Sequence, residues 1–145
     1  MEARLAGKKP IIVGLPGAFT PTCSTEQVPG YLAKQDALKA KGIDEVLVYC
    51  VNDGAVMEAW AADQKVGGSM ITFLADTRGE LTRELGVVLD HPGPMEVLGG
   101  KRSKRFAIYA DDGVIKHFAV SEGPDDPAGD SDPSASCVDA MLEAI

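Results

Sequence analysis

The sequence predicts an α/β fold in which helices flank a mixed central sheet. Two patterns carry this prediction: short apolar, β-branched runs alternate with segments of helical periodicity, and the last two strands form a hairpin. A length of 145 residues fits one domain over residues 1–145, because domains commonly have about 100–150 residues. No internal repeat or linker divides the chain.

Five segments have the composition of β-strands. The first three are apolar on both faces, as central parallel strands are. The last two form a hairpin, because the Asp-Gly pair between them is typical of a tight turn. The five segments are Pro10–Leu15, Glu45–Val51, Met70–Ala75, Lys104–Tyr109 and Val114–Val120.

Helical periodicity predicts four helices between and after these strands. The first ends near Gly42, and Pro29 predicts a kink in its first turns. Asn52 or Asp53 caps the second helix. Parallel strands followed by an antiparallel hairpin, with helices between them, form a thioredoxin-like sandwich. The four apolar stripes lie within residues 28–38, 56–61, 81–88 and 138–142.

Composition and charge exclude several classes of protein. No apolar run approaches the roughly 20 residues of a membrane span, and the first ten residues lack the apolar stretch of a secretory signal. Three cysteines are too few for a disulfide scaffold, and they lack the paired spacing of a zinc site. A net charge of −8 disfavours nucleic acid as a partner. We therefore expect no metal, membrane or nucleic acid partner.

The negative charge is concentrated near the C-terminal end. Residues 117–145 contain seven acidic residues and no lysine or arginine, whereas residues 1–116 contain 15 acidic residues and all 14 lysines and arginines. Within the acidic part, residues 121–136 are rich in proline, glycine and aspartate, a composition typical of a solvated loop. We interpret this acidic loop as a surface segment without a partner rather than as a docking site.

The most informative stretch is PGAFTPTCS, residues 16–24. It leaves the first strand and enters the first helix, where Thr20 or Thr22 can act as the cap and Pro21 suits the first helical position. Cys23 then lies in the first turn, where free backbone N–H groups and the positive end of the helix dipole favour a thiolate. This position predicts a nucleophilic cysteine.

A thiolate alone does not make a fast cysteine enzyme, because a lower thiol pKa also lowers intrinsic nucleophilicity. Other groups must stabilise the leaving atom and the developing charge. Thr20 is one candidate, since its hydroxyl precedes Cys23 by three residues. Arg105, at the start of a predicted strand, is another, since it is a permanent cation with a planar set of donors. The alternative is that Arg105 has no catalytic role, because a basic run such as residues 101–105 is also typical of a solvent-exposed segment that leads into a strand.

The cysteine motif and several further segments resemble the type II, Prx5-like peroxiredoxins. The resemblance implies a thioredoxin fold and the thiol-dependent reduction of hydrogen peroxide and alkyl hydroperoxides, without a cofactor. It also implies that Cys23 is the peroxidatic cysteine, which becomes a sulfenic acid, that Thr20 and Arg105 complete the catalytic set, and that Pro21 shields it. The further segments are Val28–Tyr31, Val51–Asp53, Ala59–Trp60 and Lys104–Phe106.

The chain departs from that family at one position near the cysteine. Gln27 stands where many relatives carry a histidine, one turn after Cys23. Glutamine forms hydrogen bonds but does not titrate near pH 6.5, so we expect no proton transfer there. His91 and His117 lie far from the motif in sequence, and we expect both at the surface rather than in a Cys/His dyad.

Two cysteines are candidates to resolve the sulfenic acid. Cys137 precedes the last helix, close to the resolving cysteine of animal relatives, and the acidic loop before it would let it move. Cys50 shares a strand face with Val48, where some relatives carry a second redox cysteine, but it also fits a small buried hydrophobe. In a third option, glutathione, glutaredoxin or thioredoxin attacks Cys23 directly.

A thiol peroxidase that forms a homodimer is the leading hypothesis. The alternative is a redox-sensing binding module in which oxidation of Cys23 alters a partner surface. Thr20 and Arg105 favour turnover, because a sensor has less need of a stabilised leaving group. A disulfide oxidoreductase is disfavoured, since the motif lacks a second cysteine. Free thiols fit the reducing cytoplasm, or an organelle if a transit peptide was removed.

Overall fold

A five-stranded mixed sheet forms the centre of the computed structural model, which describes all 145 residues. Its strands lie in the order β3-β2-β1-β6-β7, and a separate pair, β4 and β5, forms a second small sheet. The predicted α/β sandwich is confirmed. The strands are β1 (Pro10–Leu15), β2 (Glu45–Cys50), β3 (Ile71–Ala75), β4 (Val88–Leu89), β5 (Arg102–Ser103), β6 (Arg105–Asp111) and β7 (Val114–Ser121).

The pairing of β1 with its two neighbours determines where the site lies. β1 runs parallel to β2 but antiparallel to β6, and Gly14 near the end of β1 pairs with Phe106 near the start of β6. The segment that follows β1 and the residue that opens β6 therefore emerge at the same edge of the sheet. Cys23 lies in that segment, and Arg105 opens β6.

Helices cover both faces of the sheet, and three of the four predicted helices end within two residues of the predicted position. Asp53 caps α4 as expected, because its carboxylate accepts a hydrogen bond from the Val56 N–H at 2.9 Å. No helix is long and apolar enough to span a membrane. The helices are α1 (Glu2–Leu5), α2 (Val28–Ala33), α3 (Gln35–Ala40), α4 (Gly54–Asp63), α5 (Glu80–Glu84), α6 (Pro92–Leu98) and α7 (Val138–Ala144).

The first predicted helix is interrupted rather than simply kinked. A π-helical turn, Cys23–Gln27, precedes α2, and the Val28 N–H donates to the Cys23 carbonyl five residues earlier. Pro29 explains the wide turn, because it has no N–H for the usual bond to the carbonyl four residues before it. A second break at Lys34 separates α2 from α3.

Several short elements were absent from the prediction. The third predicted helix ends at Glu84, and Val88 belongs to β4 instead. Strands of two residues such as β4 and β5 are too short to produce a periodic pattern. In α6, Pro92 occupies the first turn and the His91 side chain caps the helix. A prediction that uses only the spacing of apolar residues does not detect these two signals.

The acidic loop differs most from expectation. Composition predicts a solvated segment without a partner, yet Ala128 is 5% exposed and Pro133 is buried. The Ser121 hydroxyl donates to the Pro133 carbonyl at 2.9 Å, and the Asp126 carboxylate accepts the backbone N–H groups of the next turn. The middle of the loop folds back onto the start of β6, so the loop is less solvated than its composition suggests, and its lack of a docking partner stays a prediction.

Candidate active site around Cys23

Cys23 is completely buried at the start of the π-helical turn. The Ser24 N–H donates to the Thr20 carbonyl at 3.0 Å, so the helical turn begins at the predicted place. The Ser24 hydroxyl in turn accepts a hydrogen bond from the Trp60 indole N–H at 3.0 Å, which ties this turn to α4. These contacts hold the sulfur in a fixed position rather than on a mobile loop.

The loop before Cys23 has an unusual backbone. Phe19 adopts a positive φ of 61°, a left-handed conformation that bulky side chains rarely take. Its ring packs near Trp60, with centroids 6.4 Å apart, and the Asn52 side chain accepts the Ala18 N–H at 3.0 Å. α4 and the turn after β2 therefore stabilise a strained approach to the cysteine.

Arg105 contacts the sulfur directly. Its guanidinium is fully buried, and Nη1 donates a hydrogen bond to Cys23 Sγ at 3.4 Å. The two residues lie 82 positions apart in the chain. A buried cation beside a sulfur stabilises negative charge on that sulfur, because the low dielectric of the interior strengthens their attraction.

Three further acceptors complete the surroundings of Arg105. Nη1 also donates to Gln27 Oε1 at 3.4 Å, Nε donates to the Ala128 carbonyl at 3.1 Å, and Nη2 pairs with Asp130 Oδ1 at 2.6 Å. A buried guanidinium requires such partners, since unpaired buried charge is strongly unfavourable. The acidic loop supplies two of the three, which explains why it folds back here.

Gln27 connects this cluster to the end of the acidic loop. The side chain is 1% exposed, and its Nε2 donates to the carbonyl and the hydroxyl of Ser136 at 2.9 and 3.0 Å. Its Oε1 accepts from Arg105 and lies 3.9 Å from Cys137 Sγ. The sequence did contain a signal for this residue, because Gln27 is a polar side chain one turn from both Cys23 and Tyr31 on the buried helix face.

Thr20 and Pro21 lie on the wall of a cavity of about 420 Å³. The Thr20 hydroxyl donates to the Gly17 carbonyl at 2.8 Å and forms no hydrogen bond with Cys23. The same Gly17 carbonyl also accepts the Thr20 N–H at 3.5 Å, so the turn before the helix closes on this carbonyl. The other residues that line the cavity are Pro16, Thr22, Gly93, Pro94, Val97, Leu98, Ala128 and Asp130.

The remaining cysteines differ in environment. Cys50 is fully buried at the end of β2, where desolvation, followed by the nearby Cys23, raises its pKa well above the ordinary value. Cys137 is half-buried at the N-terminus of α7, and burial, followed by the Glu26 charge, raises its pKa as well. All three cysteines are free thiols.

The histidines and potential metal ligands lie outside this cluster. His91 is exposed and caps α6, while His117 is half-buried and pairs with Tyr109 across β6 and β7. Neither forms a hydrogen bond with Cys23. No three side chains of the histidine, cysteine, aspartate and glutamate type converge as they would around a metal ion.

Comparison with known proteins identifies the family. The family model described as Redoxin matches residues 1–135. Peroxiredoxin-2C of Oryza sativa subsp. japonica is 44% identical over 119 residues, which are 81% of this chain and 70% of the relative. The chain belongs to the peroxiredoxin family. Its curated relatives include several plant peroxiredoxin-2 types, which places it among the type II, Prx5-like members.

Other relatives extend this similarity to longer proteins and to solved structures. Chloroplastic peroxiredoxin-2E of Arabidopsis thaliana is 48% identical over 119 residues, or 81% of this chain. This peroxiredoxin chain spans only about half, 50%, of that relative's length. The crystal structure of reduced Prx3 in complex with hydrogen peroxide from Vibrio vulnificus is 38% identical, with a TM-score of 0.86 over 99% of this chain and 86% of the other.

Proposed function

We propose that this peroxiredoxin chain is a thiol peroxidase that reduces hydrogen peroxide and alkyl hydroperoxides through Cys23. The contact of 3.4 Å between Arg105 Nη1 and Cys23 Sγ is the observation that carries the proposal. It joins a nucleophile to a permanent cation next to a cavity that Thr20 and Pro21 line. Family membership supports the same activity.

In the proposed reaction the Cys23 thiolate attacks the terminal oxygen of a hydroperoxide. The S–O bond forms as the O–O bond breaks, and the hydroperoxide's proton moves to the departing alkoxide, which leaves as an alcohol or as water. The sulfur loses two electrons, the peroxide gains them, and the sulfenate takes a proton from solvent to become the sulfenic acid. Arg105 stabilises the negative charge as it moves from sulfur to oxygen.

Thr20 and Pro21 have distinct roles in this proposal. Because the Thr20 hydrogen is donated to Gly17, its oxygen retains lone pairs that can accept a hydrogen bond from the hydroperoxide O–H. This contact would orient the terminal oxygen toward the sulfur. Pro21 has no N–H and lies on the cavity wall, where its ring shields the thiolate from water.

We propose Cys137 as the resolving cysteine ahead of Cys50. Its thiolate attacks the Cys23 sulfenic sulfur, the S–S bond forms, and hydroxide leaves as water after protonation. Cys137 follows the acidic loop at a helix end, whereas Cys50 is paired on both sides in the sheet, with Leu15 and Ala75. The disulfide is then reduced by a thiol of the glutathione, glutaredoxin or thioredoxin type.

The proposal also includes the partners of the chain and its location in the cell. The substrate is a hydroperoxide, the reductant is a thiol, and two copies form a homodimer. Curated relatives include chloroplastic and mitochondrial proteins. We place this chain in the cytoplasm or in such an organelle.

The proposal is tested by the Cys23→Ser variant. We expect hydroperoxide consumption in the presence of dithiothreitol to fall to the uncatalysed rate, because serine does not ionise near neutral pH and is a poor nucleophile toward peroxide. Cys50→Ser is the matched control, since it changes a buried cysteine that the proposed attack does not need. Activity that persists in Cys23→Ser would refute the proposal.

A further inference from the structure

We propose that Asp130 selects the charge class of the substrate, so that neutral hydroperoxides react with Cys23 faster than anionic ones. This inference rests on the proposed peroxidase function and names its substrate class. It concerns a residue of the acidic loop to which the sequence assigns no role.

The lining of the cavity supplies the first observation. Asp130 is the only charged residue among the ten that line it, and the other nine include Thr20 and Pro21 of the cysteine motif. The Asp130 side chain is 62% exposed, so its carboxylate lies at the solvent end of the cavity. A substrate that enters beside Thr20 and Pro21 therefore passes a negative charge.

The position of Asp130 is fixed by its backbone. Its N–H donates to Asp126 Oδ1 at 2.9 Å, and its carbonyl accepts from the Thr22 hydroxyl at 3.4 Å. The Asp126 carboxylate also accepts the N–H groups of Ser131 and Asp132 at 3.0 and 3.2 Å. This turn presents the Asp130 side chain toward the site rather than leaving it on a loose loop.

The ion pair with Arg105 supplies the third observation. The guanidinium is 0% exposed, whereas the carboxylate that contacts it at 2.6 Å is largely exposed. The carboxylate thus lies on the solvent side of the cation and offsets the attraction that Arg105 would exert on an incoming anion. No lysine or arginine lines the cavity; the nearby Arg102 guanidinium donates to the Leu98 carbonyl at 2.9 Å but is not itself part of the lining.

The physical effect differs between the two classes of substrate. A hydroperoxide with a carboxylate is repelled by Asp130 at short range, while a neutral one experiences no net force from that charge. Because Asp130 is more than half exposed, solvent screens the repulsion, and we expect about a three- to tenfold effect on the rate constant.

The experiment compares cumene hydroperoxide with its para-carboxylate analogue on the Asp130→Asn variant. Asparagine keeps the oxygen that accepts from Arg105 and removes only the charge. Asp125→Asn is the matched control, since Asp125 is an exposed aspartate of the same loop that does not line the cavity. Trp60, which is hydrogen-bonded to the residue after Cys23, provides a fluorescence signal for stopped-flow measurement.

We expect the ratio of the anionic to the neutral rate constant to rise about three- to tenfold in Asp130→Asn and to stay within about twofold in Asp125→Asn. The difference between the two variants should decrease at high salt. An unchanged ratio in Asp130→Asn, or an equal rise in both variants, would overturn the inference. If the unmodified chain oxidises no faster than a free thiolate with either substrate, the peroxidase proposal itself fails.

Discussion

At the scale of single residues, the cluster around Cys23 is a chain of contacts between two sulfurs. Arg105 donates to Cys23 Sγ and to Gln27 Oε1, and Cys137 Sγ lies 3.9 Å from that same oxygen. The thiols proposed to attack the peroxide and to resolve the sulfenic acid therefore share one polar group. Cys50, in contrast, is enclosed by the core on all sides.

The pKa of Cys137 leads to a testable pH dependence. Burial raises this pKa, so near pH 7 most of the thiol is protonated and only the thiolate fraction attacks the sulfenic acid. We expect disulfide formation to accelerate by about tenfold per pH unit until the pH reaches the raised pKa. Rapid quenching and intact-mass analysis after one equivalent of peroxide measure this rate.

The cysteine variants separate the routes of resolution. In Cys137→Ser the mass of one added oxygen should persist, whereas Cys50→Ser should still lose two hydrogens as the disulfide forms. A disulfide that forms normally in Cys137→Ser would assign resolution to another thiol of the chain. A sulfenic acid that persists in the unmodified chain until glutathione is added would assign it to an external reductant.

At the scale of elements, the π-helical turn and the acidic loop meet at Gln27. The turn places Gln27 toward the interior, and the loop brings Ser136 to it at 2.9 Å. The Tyr31 hydroxyl donates to the same Ser136 carbonyl at 2.8 Å. One helix face thus positions both Cys23 and the groups that hold Arg105.

A Gln27→Leu variant tests this connection. Leucine keeps the volume but removes the acceptor for Arg105 Nη1 and the donor to the Ser136 carbonyl and hydroxyl. We therefore expect a loss of about 1–3 kcal/mol in the free energy of unfolding and about a tenfold slower oxidation of Cys23. Gln27→His, the residue many relatives carry there, should restore the rate because imidazole retains an acceptor. Urea unfolding and stopped-flow kinetics measure the two effects.

A matched control distinguishes this role from general damage. Gln64→Leu removes a glutamine whose amide bonds only the exposed Asp63, so neither stability nor rate should change appreciably. If Gln27→Leu oxidises as fast as the unmodified chain, Gln27 does not position Arg105, whatever its effect on stability.

The elements that the sequence predicted well are those in which one pattern dominates. The three apolar strands and the hairpin appear within one or two residues of their predicted bounds. The interrupted first helix was missed, because the consequence of Pro29 depends on how the preceding turn closes. The contacts of the acidic loop with Arg105 were not predicted, because its composition is polar and the acceptors that Ala128 and Asp130 offer are visible only in three dimensions.

At the scale of the whole molecule, the order of strands creates the site. β1 lies between β2 and β6, and its antiparallel pairing with β6 brings the segment after β1 to the first residue of β6. Sequence pattern places Cys23 and Arg105 on suitable elements, but only this strand order places them in contact. The resemblance to the family had already implied, from the sequence alone, that Cys23 and Arg105 belong to one site.

The central claim is that Cys23 and Arg105 act together on the O–O bond. Its most direct test is the second-order rate constant for Cys23 oxidation by hydrogen peroxide, measured by stopped flow in Arg105→Gln and Arg105→Lys. We expect a fall of about 100-fold or more in Arg105→Gln and a smaller but clear fall in Arg105→Lys, which keeps the charge and loses the planar donors. Lys104→Gln, which alters a neighbouring cation paired with Glu122, should react normally. A folded Arg105→Gln variant that reacts as fast as the unmodified chain would contradict the account.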